Sequence, residues 1–236
     1  MTLTTIQKAT TTMKNLKNRI AFWLLALLLP ALPAQAQTPL DLERDTLPFF
    51  RGFAVSGELV GAMQMMLGDY GQYEAALRLN LRNRYFPIFE VGYGKANHEQ
   101  DAVTEISYKT QAPYFRIGID KNLLKKKHGP NRLYGGLRYA FTSYKVDMER
   151  PDFPDPVWLW DTGFGAKDVP CKQHWLEVVI GVDAKIFGPM HLGWCVRYKR
   201  RIYHDEGSLS NTWYVPGFGT NDSSKFDAGF NVIIDI

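Results

Sequence analysis

Eight segments between Gly52 and the C-terminus alternate strictly between apolar and polar side chains. They are residues 52–60, 72–82, 88–95, 112–120, 133–142, 175–186, 191–199 and 225–236. A period of two sends successive side chains to opposite sides of an extended strand, so each segment predicts a strand with two chemically different faces. In 72–82, Tyr73, Ala75, Leu77, Leu79 and Leu81 alternate with Glu74, Ala76, Arg78, Asn80 and Arg82. In 225–236, Phe226, Ala228, Phe230, Val232, Ile234 and Ile236 alternate with Asp227, Gly229, Asn231 and Asp235 among others. No stretch beyond residue 36 sustains a 3.6-residue period, so the chain reads as all-β.

Volume decides which face is inside. The apolar faces carry several large side chains per strand, more than the narrow interior of an eight-stranded barrel can hold. Glycines lie on the polar faces (Gly92, Gly118, Gly136, Gly181, Gly193, Gly229), interleaved with single charges. The apolar faces carry no charge, as a lipid-facing surface requires. The sequence therefore predicts an eight-stranded antiparallel up-and-down transmembrane β-barrel, apolar outside and polar inside. Each connection after an odd strand matches or exceeds its even neighbours in length, which fits periplasmic turns alternating with outer loops. Phe50, Tyr85, Phe86, Tyr93, Tyr139, Trp175 and Tyr198 near strand ends are the expected aromatic girdles.

The N-terminus supplies the address. Residues 1–36 run from a basic region ending at Arg19, through the apolar stretch 20–32, to Ala34-Gln35-Ala36. That is the pattern of a cleaved secretory signal peptide, with Met1 or Met13 as its start. Residues 37–49 then form a short periplasmic segment and 50–236 the barrel. The segment 1–36 holds four of the 28 Lys and Arg residues and no acid, so the remaining 200 residues carry 24 of each sign. A neutral exported domain argues against nucleic-acid binding, which draws on a basic surface. Location in the outer membrane of a Gram-negative bacterium follows. The expected partners are outer-membrane lipid and, during biogenesis, the barrel-assembly machinery.

The segments DYGQYEAALRLNLRNRYFPIFEVGYG (69–94), APYFRIGID (112–120), RLYGGLRYAF (132–141), HWLEVVIGVDAKIFGPMHLGW (174–194) and FNVIIDI (230–236) resemble an uncharacterised Bacteroidetes family, domain of unknown function 6048. The resemblance implies an outer-membrane barrel and an origin in that phylum, but no activity or functional residues. The chain departs from general barrel practice by ending in Ile236 rather than in an aromatic residue.

The polar faces place eight acids, Glu58, Glu74, Glu90, Asp120, Glu177, Asp183, Asp227 and Asp235, against seven bases, Arg78, Arg82, Arg116, Arg138, Lys185, Arg197 and Lys199. In a narrow lumen such charges must pair, because isolated buried charges are very costly. The leading functional reading is a non-catalytic structural or envelope-complex subunit with a closed, charge-filled lumen. A lipid-modifying outer-membrane enzyme is the alternative, with His204, Asp205 and Ser208 as its catalytic candidates. A small-solute channel is a third reading. No cofactor or metal site is indicated. Cys171 and Cys195 should not form a disulfide, since a tight turn at 187–190 sets Cys195 opposite Gly181 or Asp183, far from Cys171. The proline- and aromatic-rich segment between Ser143 and His174, with Phe153, Trp158, Trp160 and Phe164, predicts a lid or a docking loop for another envelope protein. Lys125-Lys126-Lys127-His128 reads as a solvated periplasmic turn, or as a contact for anionic lipid or a periplasmic protein.

Overall fold

The computed structural model describes residues 48–99, 105–154, 161–209 and 212–236, and every structural statement below is made of these residues. Strands β1 (Phe50–Glu58), β2 (Tyr70–Leu81), β3 (Tyr85–His98), β4 (Ser107–Asn122), β5 (Arg132–Pro154), β6 (Asp161–Phe187), β7 (Met190–Asp205) and β10 (Ser224–Asp235) close into one antiparallel barrel. Each strand pairs with its neighbours in chain order, and β10 returns to β1. The closure is completed where Phe53 and Ile236 exchange backbone hydrogen bonds of 3.0 and 2.7 Å. Gly52, at φ +104°, keeps a Cβ out of the Ile236 carbonyl there. The eight alternating segments are the eight barrel strands.

Side chains take the faces that alternation assigns. Leu137, Trp194 and Phe226 are 63%, 66% and 72% exposed on the outer wall, while Glu90, Arg116, Asp120 and Glu177 are buried inside. An apolar outer wall around a charged interior is the polarity of a barrel dissolved in lipid. Outward rings pack laterally along it: Phe115 lies 6.5 Å from Phe89 and 5.5 Å from Phe141. His174 sits among Tyr139, Phe141 and Tyr203, with its Nδ1 2.6 Å from the Tyr139 hydroxyl. Two of the expected girdle residues do not belong there. Phe86 and Trp175 are fully buried, because both fall on the inward register of their strands.

The inner glycines make room for large neighbours. A Cβ on Gly92 would overlap the Tyr114 ring, and one on Gly181 would press the Tyr134 ring. Gly92→Val is therefore expected to displace Tyr114 and cost about 1–3 kcal/mol, the usual penalty of overpacking. Urea unfolding of the reconstituted protein checks this, and an unchanged midpoint would show the interior to be loosely packed.

Three features depart from the sequence reading. The connection after β1 contains a helix, α1 (Val60–Leu67). The segment between Ser143 and His174 is mostly not a loop, because β5 and β6 stay paired up to Pro154 and Asp161. Above Phe141 the outward positions turn polar (Ser143, Lys145, Asp147) and the inward ones apolar (Tyr144, Val146). That inversion marks where the wall leaves lipid. At the strand rise, the β5 residues from Ser143 to Pro154 add on the order of 40 Å of strand length beyond Phe141. Finally, the connection between β7 and β10 carries a miniature hairpin, β8 (Tyr214–Val215) and β9 (Gly219–Thr220).

Candidate functional site: a charged lumen under a folded loop

The polar faces of β2 through β7 meet inside the barrel and form a column of ion pairs. Arg116 on β4 stands at its centre. Its Nη1 donates to Glu74 and, at 3.1 Å, to Glu90, while its Nε lies 2.9 Å from Glu177. Arg197 reaches Glu74 at 2.8 Å and Glu90 at 3.6 Å. Arg138 continues downward, 2.6 Å from Glu90 and 3.2 Å from Asp120. Arg78 then joins Asp120 at 3.8 Å and Asp183 at 2.5 Å. Tyr114 donates to Glu74 at 2.8 Å, and the Arg116 guanidinium lies 4.7 Å from the centre of the Tyr114 ring. The void lined by Glu58, Glu74, Arg78, Glu90, Arg138 and Arg197 measures about 10 Å³. That is roughly room for one water molecule.

Most of the expected lumen charges sit in this column or at its ends. Lys199 pairs with Asp227 at 2.7 Å at the outer end. Asp235 accepts from Arg132 and lies 3.2 Å from His191 at the inner end. Arg132 and His191 were not among the expected lumen residues, since the first reads as part of a turn and the second as a strand start. Glu58 does something different. Its carboxylate accepts the N–H groups of Val60 and Gly61 at 2.8 and 2.6 Å and so caps the first turn of α1. Arg82 and Lys185 correct the sequence reading, as both are exposed at strand ends. Arg82 lies in the turn after β2 at φ +54°, and Lys185 falls where β6 leaves the barrel.

The column is covered from the outside by the connection that follows β7. Its tip, Pro216-Gly217, turns into the barrel mouth, with Tyr214, Val215 and Phe218 fully buried. Arg116 Nη2 and Lys199 Nζ each donate to the Gly217 carbonyl at 2.9 Å. Tyr108 donates to the Tyr214 carbonyl at 2.7 Å. The Phe218 ring meets Trp175 edge-on at 5.6 Å, and Trp175 Nε1 donates to Glu177 at 2.7 Å. Plug and column are thus one hydrogen-bonded unit. Tyr214, Val215 and Phe218 join Tyr108, Tyr114, Tyr144, Val146, Val169, Cys171 and Trp175 in an apolar core. The outer part of the barrel is accordingly packed like a soluble protein and the lipid-embedded part is not.

Among the described residues this loop covers the barrel mouth, while the segment between Ser143 and His174 is the one that the sequence reads as a lid or docking loop. Within that segment, Phe153 and Phe164 lie in the paired backbones of β5 and β6. Their side chains, and Trp158 and Trp160 entirely, lie outside the described residues.

The catalytic candidates resolve into a brace at the plug's base. His204 Nε2 lies 2.9 Å from the Tyr144 hydroxyl, and its Nδ1 lies 3.2 Å from both Glu206 and Arg201. Both ring nitrogens therefore face groups other than Ser208, which is exposed in the following turn. Asp205 accepts the Gly207 N–H at 3.0 Å. Asn221 links Glu206, Thr212 and Arg201 across the base of the loop, and Tyr144 lies 3.3 Å from the Thr212 hydroxyl. Burial holds the His204 pKa below the ordinary histidine value of 6.5, with Arg201 acting in the same sense and Glu206 and Asp205 opposing. A histidine more acidic in the folded state stabilises above its unfolded pKa, and the contribution is lost as pH falls through the folded value. Acidification from pH 7.5 to pH 5 is expected to raise amide exchange at Thr212 and Trp213, after correction for intrinsic rates. His204→Gln should abolish that response, and equal protection at both pH values would refute the bracing role.

Cys195 pairs in register with Gly181, as the turn geometry predicts, and Cys171 pairs with Tyr144 ten residues up β6. Both thiols are free, and burial with Asp205 and Glu206 nearby pushes the Cys171 pKa up to about 11. The basic turn has local uses. Lys127 Nζ donates to the Asn122 carbonyl at 3.5 Å, and His128 lies 3.4 Å from Asn83.

A closed antiparallel barrel with an apolar wall and a charged, plugged lumen defines the class of eight-stranded transmembrane β-barrels. Within it, the chain belongs to the family described as Domain of unknown function (DUF6048), which matches residues 15–235. No curated protein matches it. Solved structures of similar shape include a major outer membrane protein from Thermus thermophilus, at 10% identity and TM-score 0.43, covering 78% of this chain and 98% of that one. Neisserial surface protein A (NspA) is similar at 14% identity and TM-score 0.39, covering 79% and 99%. Ail, the attachment invasion locus protein of Yersinia pestis, solved with the heparin analogue sucrose octasulfate, is similar at 11% and 0.37, covering 78% and 93%.

Proposed function

We propose that this protein is an outer-membrane β-barrel of structural or envelope-complex role, with a lumen sealed rather than conducting. The observation that carries this reading is the Gly217 carbonyl held by Arg116 and Lys199, which seats the plug directly on the ion-pair column. A channel needs a wet path, and here ion pairs from Arg116 down to Asp183 run through the interior with a void of about 10 Å³ among them. The signal-like segment 1–36 supports export and removal of the leader. The outer wall supports lipid as the lateral partner, and the barrel-assembly machinery is the partner expected during insertion. The paired β5–β6 extension offers a surface on which another envelope protein could dock, in keeping with the docking role expected for this segment from sequence.

The lipid-modifying alternative is tested by comparing lipid A mass spectra from wild-type and deletion cells. Identical spectra support the non-catalytic reading. Loss of a modified species on deletion, restored by the wild-type gene but not by His204→Ala, would overturn it.

A further inference from the structure

The helix α1 carries a surface that neither the column nor the plug uses. It straddles the outer rim above β2. A Cβ on Gly71 would overlap the Met65 backbone, and one on Gly61 would come within 2.6 Å of Gln72. Both ends are fastened, since Leu59 N donates to the Phe230 carbonyl at 2.9 Å and Asn97 N to the Asp69 carbonyl at 2.7 Å. Gly61 and Met65 thus define the barrel side of the helix. Residues three and four apart share a helix face, so Met63, Met66 and Leu67 project together on the other side. They are 58%, 78% and 83% exposed. No charged residue lies between Leu59 and Gly68.

The level of the helix identifies what covers it. Gly71 stands two residues above Tyr73, which pairs with Tyr93 in register, and both tyrosines face outward at the upper edge of the apolar band. Aromatic residues at such an edge mark the boundary between hydrocarbon and headgroups. Leu59 and Tyr73 continue the apolar wall up to the helix. A fixed, uncharged apolar face at this depth has the character of an interfacial element, whose binding scales with buried apolar area.

We infer that α1 is a membrane-interface anchor, with Met63, Met66 and Leu67 seated among the acyl chains of the outer leaflet. This rests on the membrane reading of the barrel. It is tested by nitroxide labels on Met66→Cys, Ile117→Cys and Ser208→Cys variants reconstituted in phosphatidylcholine vesicles. Collision with oxygen is compared with collision with a water-soluble nickel chelate. The expected order of oxygen preference is Ile117 above Met66 above Ser208, with Met66 several-fold above Ser208. A Met66 label as nickel-accessible as Ser208, beside a lipid-exposed Ile117 label, overturns the anchor and leaves the barrel reading intact. A nickel-accessible Ile117 label would instead overturn the membrane reading itself. Dipolar broadening between Met66 labels at low protein-to-lipid ratio would assign the face to a second copy of the chain and also overturn the anchor. Leu67→Cys replaces Met66→Cys if the latter fails to insert.

Discussion

Replacing Arg116 by methionine is expected to lower the unfolding free energy of the reconstituted barrel by about 3–5 kcal/mol, the cost of stranding buried partners when one ion of a network is removed. Arg116 is fully buried and serves Glu74, Glu90 and Glu177 at once. Glu74 and Glu90 retain Arg197, and Glu90 also retains Arg138. Glu177 keeps a hydrogen bond from the neutral Trp175 indole, with Lys199 and Arg197 acting on it only from farther away. Arg116→Met/Glu177→Gln should therefore recover a large part of the loss. Urea titration of both variants reads the difference, and a single variant as stable as wild type would mean that the column is not the barrel's core.

The second large effect concerns the plug. Gly217 has φ +80°, where a side chain is strained, and a Cβ there would run into the Tyr114 ring. Gly217→Val should cost about 1–3 kcal/mol from backbone strain alone, and ring overlap adds to it. The barrel strands need not unfold, since the loop can lift away. The expected signature is a red shift of Trp213 and Trp175 emission with protease cleavage between 206 and 223, while the heat-modified migration of the barrel persists. Protection equal to wild type would show that the tip is not seated as described.

The barrel was legible in sequence because lipid outside and charge inside impose one rule along every strand. Which charges pair was not legible. Arg116 and Glu177 lie on β4 and β6, and Arg197 and Glu74 on β7 and β2, so the barrel's curvature alone brings them together. The extension of β5 and β6 was hidden by the inversion above Phe141, where Tyr144 and Val146 turn inward beneath Lys145 and Asp147. Alternation persists there with its polarity reversed, and a search for an apolar outer face passes over it. The plug had a local signal in Trp213-Tyr214-Val215-Pro216-Gly217-Phe218, a Pro-Gly turn between apolar residues. Its burial depends on Arg116, Lys199 and Tyr108, which are remote in the chain. His204, Asp205 and Ser208 attract notice as a triad-like cluster, yet the structure spends the histidine on Tyr144 and Glu206.

The proposed role rests on a lumen closed along its length by ion pairs and capped by the loop after β7. Single-channel recording of the purified protein in planar lipid bilayers tests it most directly, with insertion verified independently by heat-modified migration of the recovered protein. An electrically silent membrane is expected for wild type, and silence also for Gly217→Val, because the column remains beneath the displaced plug. Stepwise ohmic conductance from inserted wild-type protein would contradict it.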